Sequence, residues 1–509
     1  MCMNKCPLIV VVPEQAAEDP LLRSKWRLTL PESSSGMFAL FATRNAATKQ
    51  TVHFRNGITS HKMISYSSTR CVSQLVNAFG LPREKLRETL ASLADVKPAA
   101  SDDIFWHLHN TALDSWNDIS VVGLRKQQQL AEALELVLPS IVEDSTGEDG
   151  TRKWLLKLAD GALVETVFIP ELVDPDHAAP GSRKVDRGVL CVSSQVGCSL
   201  ACSFCHTGTQ ALKRNLKTHE ITGQLHVAKQ ALRAPTAAAA PAPQVTNVVF
   251  MGQGEPLYNW RAVSDAVRIM TDRRGGNIAH KRCTISTSGV APHMAKVGSE
   301  LGVNLALSLH ATEDATRSGI MNVNRSFPLP VVLHACREYR DAVYTCPEAV
   351  ASRSAREANE AARGAARRHA LHSSTTAGGS LAEAAAETPP SQRRTGRRIL
   401  FEYTLLEGVN DSLEDARRLV QLTAEFNCHV NIIPFNPWPG APYKCPPDEQ
   451  VMQFGKVLLQ RGVTASIRWP RGRDIMAACG QLHSAHTQQQ AEEDEGHATA
   501  LQAGVGGTL

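Results

Sequence analysis

From residue 188 to residue 468 the chain alternates short β-branched runs with amphipathic stretches of helical length, and that alternation restricts its fold more than any other feature. The runs fall at 188–193, 245–251, 282–287, 303–309, 399–405, 430–434 and 463–468, and helices are expected near 218–232, 260–271, 329–341, 412–426 and 448–460. Strands that alternate with helices imply right-handed crossovers onto a parallel sheet. The expected class is therefore α/β, either an open sheet or a complete or partial barrel, with ligand-binding groups gathered at the C-terminal strand ends.

Upstream, residues 72–138 carry a helical pattern that includes Leu86, Leu90 and Leu93, then Ile104, Phe105 and Leu108. Two alternating runs at 152–158 and 163–169 are joined through Asp160-Gly161, which predicts a β-hairpin with a two-residue turn. The expected organisation is an extension at 1–71, disordered or targeting-like, a helical accessory domain at 72–145, a linking hairpin at 150–170, a barrel at 187–482 and a disordered tail at 483–509. Insertions are expected at 174–184, 234–243 and 347–398. The last holds nine Arg against five Glu and reads as a solvated tether or as a contact for RNA phosphate.

Lys+Arg 54 against Asp+Glu 50 leaves a net charge of +4, so an anionic partner must be met by local basic patches. The apolar runs fall short of the roughly 20 residues that span a bilayer, and no membrane partner is expected. Residues 33–83 contain no Asp or Glu, a composition of organellar transit segments as well as of plain disordered extensions. The expected compartment is the cytoplasm, with mitochondrion or plastid as the alternative.

Thirteen cysteines are too few to scaffold 509 residues with disulfides, and four of them crowd between 191 and 205. Cys198, Cys202 and Cys205 form C-x3-C-x2-C directly after the first barrel strand. Three thiolates on one loop can hold three irons of a [4Fe–4S] cluster and leave the fourth iron open to a ligand. A zinc knuckle is the competing reading, but no second cysteine pair follows at zinc spacing.

The cysteine spacing resembles the signature of the radical SAM superfamily, in which the open iron chelates the methionine part of S-adenosylmethionine. Later strand ends carry groups that suit such a ligand. The second ends in Met251-Gly-Gln-Gly254-Glu255-Pro256, where the glycines permit close backbone approach and Glu255 could pair with an ammonium group. The third ends at Ser286-Thr-Ser288-Gly289, the fourth at Ser308-Leu309-His310 and the sixth at Pro434-Phe-Asn436-Pro. Gly254, Glu255, Ser286, Ser308, Leu309, His310 and Asn436 are accordingly the candidate cofactor-binding residues.

Two further cysteines sharpen the resemblance: Cys191 in the first strand, and Cys479 in Ala478-Cys479-Gly480 after the last. With Arg214-Asn215-Leu216, Leu307-Ser-Leu-His310 and the run from Pro434 to Tyr443, they make the chain similar to the radical SAM methyltransferases that methylate C2 of adenine in large-subunit ribosomal RNA and transfer RNA. The resemblance covers about residue 72 to 482, broken by the three insertions.

It implies a partial (βα)6-type barrel, a [4Fe–4S] cluster on Cys198, Cys202 and Cys205, and two S-adenosylmethionine molecules per turnover. It further implies that Cys479 carries the methyl group as S-methylcysteine, that Cys191 resolves the resulting protein–RNA thioether through a transient disulfide with Cys479, and that Glu165 accepts the C2 proton. Implied partners are large-subunit rRNA, tRNA, an external electron donor and a thiol reductant, with a monomer as the expected state. The sister activity at adenine C8 and a non-catalytic iron–sulfur RNA-binding factor stay open as alternatives. Two positions depart from the family pattern: Gln253 stands where Met is expected, and His206 where small residues are common. Both are expected to alter the cofactor pocket.

Overall fold

The computed structural model describes residues 8–11, 39–42, 75–113, 115–171, 187–233, 243–343 and 398–484. Residues 1–71 and 72–509 form separate units. In the first, β1 (Leu8–Val11) pairs antiparallel with β2 (Ala39–Ala42), Leu8 opposite Ala42. The remaining 33–74 segment of the acid-free stretch, the expected insertions apart from residues 243 and 398, and the tail beyond 484 lie outside the described residues. No helix among the described residues is long and apolar enough to cross a membrane.

The second unit begins with β3 (Val76–Asn77), followed by α1 (Arg83–Ala94), α2 (Pro98–Asn110), α3 (Leu124–Ala133) and β4 (Leu134–Glu135), which pairs with β3. α1 stops at Asp95, which adopts a left-handed backbone, and Pro98 starts α2 where a missing N–H costs nothing. Leu86, Leu90, Ile104, Phe105 and Leu108 are fully buried in one small core. Ile269, from a helix of the sheet domain, completes that core, so the helical layer is docked onto the barrel.

One sheet of ten strands organises the rest. Its antiparallel part is β5 (Ser140–Thr146), β6 (Arg152–Lys157) and β7 (Leu163–Pro170), and β7 pairs antiparallel with β8 (Arg187–Cys191). Then come the short pair β9 (Gln195–Val196) and β10 (Arg214–Asn215), and α4 (Thr218–Arg233). The parallel strands β11 (Gln244–Phe250), β12 (Cys283–Thr287), β13 (Asn304–Ser308), β14 (Ile399–Leu405), β15 (Cys428–Pro434) and β16 (Ala465–Ile467) continue the order from β8. Between them run α5 (Trp260–Thr271), α6 (Ala291–Ser299), α7 (Asp314–Ile320), α8 (Leu329–Ala342), α9 (Leu413–Thr423) and α10 (Asp448–Gln460).

The register places Val248, Ile285, Leu305, Phe401, Val430 and Ile432 on one face of the sheet, the face the helices cover, and all are wholly inside one core. Each such side chain contributes about 1.5–3 kcal/mol of transfer free energy. The two ends of the sheet meet through loops. Asp474 accepts the Glu148 N–H at 2.9 Å, and Arg471 Nε pairs with Asp149 at 2.5 Å. The sheet is thus curled into a partial barrel whose seam is closed by side chains and not by a strand ladder.

The hairpin turn differs from the expected two-residue form. Leu158 N–H donates to Ala162 O at 2.8 Å, Gly161 N–H to Leu158 O at 2.9 Å, and Gly161 takes φ +83°. Three residues, 159–161, therefore make the connection, and the glycine supplies the left-handed residue that the strands' twist requires. Strand β5 was not anticipated. All but its last residue lie in the stretch assigned to the helical layer, and its exposed sequence lacks the alternation by which strands are recognised. Helices α6 and α7 are too short to stand out as periodic patterns.

Candidate active site

The strand ends converge on one cavity of about 160 Å³, lined by groups that run from the loop after β8 to Gly480 in the loop beyond β16. Cys198, Cys202 and Cys205 all reach its wall, with Glu255, Ser286, Ser308, His310 and Cys479. The cysteine loop is held by its own backbone: Cys205 N–H donates to Cys202 O at 3.1 Å, and Cys198 N–H to Gln210 O at 3.1 Å. Gly208 is obligatory in this turn, since a Cβ there would come within 2.5 Å of the Cys202 carbonyl.

Burial pushes the Cys198 thiol up to about 12 and raises Cys202 and Cys205 as well. Thiols so placed stay protonated unless a cation takes the proton's place, which suits a metal cluster. Among the described residues no three His, Cys, Asp or Glu side chains are arranged to hold a single metal ion. The three thiols line one cavity, and the donor set fits three irons of a [4Fe–4S] cluster.

The opposite wall suits a small polar ligand. Gly254 has φ +95°, and a Cβ there would strike Gln195 at 2.4 Å. Glu255 is almost fully buried, and its carboxylate accepts N–H bonds from Leu257 at 3.0 Å and Ser288 at 2.8 Å. Burial nevertheless raises it to about 7, so an arriving ammonium group would draw out the charged form. His310 takes a left-handed backbone, φ 54°, and its Nδ1 accepts the Thr404 N–H at 2.9 Å. Burial lowers it to about 3, which fixes a neutral ring with its proton on Nε2. Leu309 does not face the cavity. Its side chain lies wholly in the core, and it bonds through its backbone alone: the N–H donates to Glu402 O at 3.0 Å and the carbonyl accepts from Arg317 Nε at 2.9 Å. Asn436 also stands behind the wall, where its Nδ2 donates to Cys479 O at 3.1 Å.

Cys191 ends β8 outside the cavity lining, half-buried beside Val167, Ala477 and Leu482, the last two of which flank Cys479 in the chain. Burial raises its thiol, with the neighbouring Cys479 adding to the effect. Cys479 reaches open space in the cavity yet is hemmed in by protein, and that burial raises its thiol too; Arg468 opposes the rise and Glu402 adds to it. Glu165, in β7, is buried two residues along the strand from Val167, the partner of Cys191. One carboxylate oxygen lies 3.0 Å from Lys153 Nζ, and the other accepts the His483 N–H at 2.7 Å. Burial raises Glu165 above the usual carboxylate range, against the pull of Lys153.

The two departures, expected to alter the pocket, do not stand in its wall. Gln253 points away between two lining glycines. Its Oε1 accepts the Glu165 N–H at 3.1 Å and its Nε2 donates to Ser484 Oγ at 3.2 Å, so it braces Glu165. His206 lies between Trp438 and His483. Glu402, Thr404 and Arg468 line the cavity without having been foreseen. The first two sit at alternate positions near the end of β14, and polar residues at i and i+2 in the apolar run Phe401-Glu-Tyr-Thr-Leu405 were the available signal.

Comparison with known proteins places this geometry in context. The Radical SAM superfamily profile matches residues 192–347. The dual-specificity RNA methyltransferase RlmN of Rhodospirillum rubrum is 40% identical over 430 residues, covering 84% of this chain and 85% of that protein. Its namesake in Bradyrhizobium diazoefficiens is 38% identical over 415 residues, 80% of this chain and 88% of that one. The crystal structure of a radical SAM methyltransferase from Sphaerobacter thermophilus superposes with a TM-score of 0.62 at 32% identity, covering 80% of this chain and 99% of that one.

Proposed function

This chain belongs to the radical SAM dual-specificity RNA methyltransferases, and from that premise we propose that it methylates C2 of an adenosine in large-subunit rRNA and in tRNA through a methyl group carried on Cys479. The observation that carries the proposal is the convergence of two thiol groups: Cys479 shares a cavity wall with Cys198, Cys202 and Cys205, while Cys191 packs beside the residues flanking it.

Bound there, a [4Fe–4S] cluster and S-adenosylmethionine would supply the methyl group and the radical chemistry that an electron-poor ring carbon demands. Glu255, Ser286, Ser308 and His310 are assigned to hold the cofactor's polar groups. Cys479 acts as nucleophile towards the methyl group, and the base must be splayed from its loop to reach it. Glu165 accepts the C2 proton; burial raises its pKa against the pull of Lys153, which makes it a stronger base than an exposed carboxylate, while Gln253 holds its backbone N–H. Cys191, as thiolate, then attacks the sulfur of Cys479; the S–C bond breaks with its electron pair on the bridging carbon, which takes up a proton to become the product's methyl group, and the Cys191–Cys479 disulfide so formed must be returned to two thiols by a thiol reductant. An external electron donor, a reducing compartment and action as a monomer complete the proposal.

The test is Cys191→Ala in anaerobically assembled enzyme. A covalent protein–RNA adduct is expected to accumulate, with no free methylated product. Product methylation without an adduct would remove the thiol relay. Mass spectrometry of the nucleoside released by the unaltered enzyme separates 2-methyladenosine from the C8 isomer. An RNA-binding factor without catalysis would yield neither.

A further inference from the structure

The loop that carries Cys479 leaves β16 and has no strand partner after Ile467, yet it must keep one sulfur at the cavity wall. Its side nearest the cysteine loop is fastened by a stack of three rings from three segments. His206 lies against Trp438 with centroids 4.7 Å apart and planes 5° from parallel, and against His483 at 3.9 Å and 15°. Trp438 follows β15 and donates its indole N–H to Phe204 O at 3.1 Å, inside the cluster-cysteine loop. His483 lies four residues beyond Cys479 and donates its backbone N–H to Glu165.

Hydrogen bonds run parallel to the stack. His206 N–H donates to Gly480 O at 2.8 Å, and Thr207 Oγ1 to Leu482 O at 2.7 Å. His206 Nδ1 faces Gln481 O at 3.3 Å, a contact that requires the proton on Nδ1. The residue directly after the third cluster cysteine thus meets the chain at 480, 481 and 483, and its neighbour Thr207 meets it at 482.

We infer that His206 is a positioning residue: clasped between Trp438 and His483, it latches the Cys479 loop to the cluster-cysteine loop and fixes where the Cys479 sulfur sits. A small side chain at 206 would leave the backbone bonds in place but nothing between the two outer rings. The latch ties the Cys479 loop at once to Cys205 on one side and to Glu165 on the other. Its part in methyl relay rests on the function proposed above; the tether itself does not.

Amide hydrogen exchange on the full chain tests it, in unaltered protein and in the variants His206→Ala and His206→Phe. Loss of both ring contacts in His206→Ala is expected to speed exchange across 478–484 by about tenfold or more, while β11 to β14 stay protected. The flat ring of His206→Phe is expected to restore protection to within about threefold. In methylation assays His206→Ala should lower kcat with KM for RNA little changed, and His206→Phe should recover most of the loss. Unchanged exchange at 478–484 in His206→Ala, or equal opening in both variants, overturns the latch. Should His206→Ala not fold, His483→Ala removes an outer ring of the same stack, and the same exchange pattern decides. If the unaltered chain methylates no RNA, the function falls while the exchange data still judge the latch. If it methylates and the exchange pattern is absent, only the latch falls.

Discussion

Two groups of cysteines meet at this site by different means. Cys198, Cys202 and Cys205 lie within one loop, gathered by local backbone turns and by a glycine at 208 that lets the chain pass close to Cys202. Cys191 and Cys479 come from opposite ends of the barrel sequence and depend on tertiary contacts: the ring latch at 206, the Asn436 bond to Cys479 O, and the Asp149–Arg471 clasp at the seam. The first group is built by short-range geometry. The second needs the whole barrel to close.

The largest expected effect separates the two groups outright. Cys202→Ala should abolish iron retention after anaerobic reconstitution and depress methylation at least about a thousandfold. Cys479→Ala should depress methylation equally with iron content unaltered. Iron analysis beside a methylation assay checks both, and loss of iron in Cys479→Ala would break the division.

Next comes the seam. Asp149 receives Arg471 Nε, the Gly472 N–H at 3.0 Å and the Thr151 N–H at 2.9 Å, and it is held near 2 despite the burial that opposes ionisation. Asp149→Asn removes the charge while keeping the shape. The Cys479 loop should then shift by a fraction of an ångström, and kcat should fall roughly 10- to 100-fold with iron retained. Single-turnover kinetics check this, and an equal loss of iron would show that the two groups share one scaffold.

The contrast also explains what could be read from the chain. The cluster cysteines and the strand-end residues Glu255, Ser286, Ser308 and His310 belong to short motifs whose local geometry follows from their own sequence, and they line the cavity. Leu309 belongs to the same motif yet faces the core, because alternation along the chain turns every second side chain away. Gln253 and His206 looked like pocket residues for the same local reason, and tertiary packing points both elsewhere. Strand β5 and the Asp149 clasp were not legible, because an exposed polar edge strand and a long-range ion pair leave no periodic trace.

A smaller effect sharpens the role given to Glu165. Lys153→Met leaves that buried carboxylate without its cation, so its pKa should rise further and a larger fraction should be protonated near neutrality. Resolution of the protein–RNA adduct should slow about tenfold at pH 7 and recover as pH rises, moving the ascending limb of its pH profile upward. A profile that does not move would assign the proton to another group.

The smallest effect compares the helical layer with the seam through acid. His109 and His226 are buried against Phe79 where α2 meets α4, with Lys229 and Arg233 as the neighbouring cations. Burial lowers the two rings to about 3 and about 4 from 6.5. Below pH 6.5 the unfolded chain takes up protons that the folded rings refuse, so stability falls as pH drops towards those folded values, by roughly 1–2 kcal/mol per histidine at pH 5. Asp149 runs on a lower window: its stabilisation is complete above its ordinary value of 3.8 and is lost only as pH falls towards about 2. At pH 5, amide exchange should therefore accelerate in α2 and α4 while residues 471–484 keep their protection. Phe in place of both histidines should cancel the acid response of the helical layer without touching the thiol pair, and acceleration at 471–484 under the same conditions would mean that the seam draws its order from the helical layer.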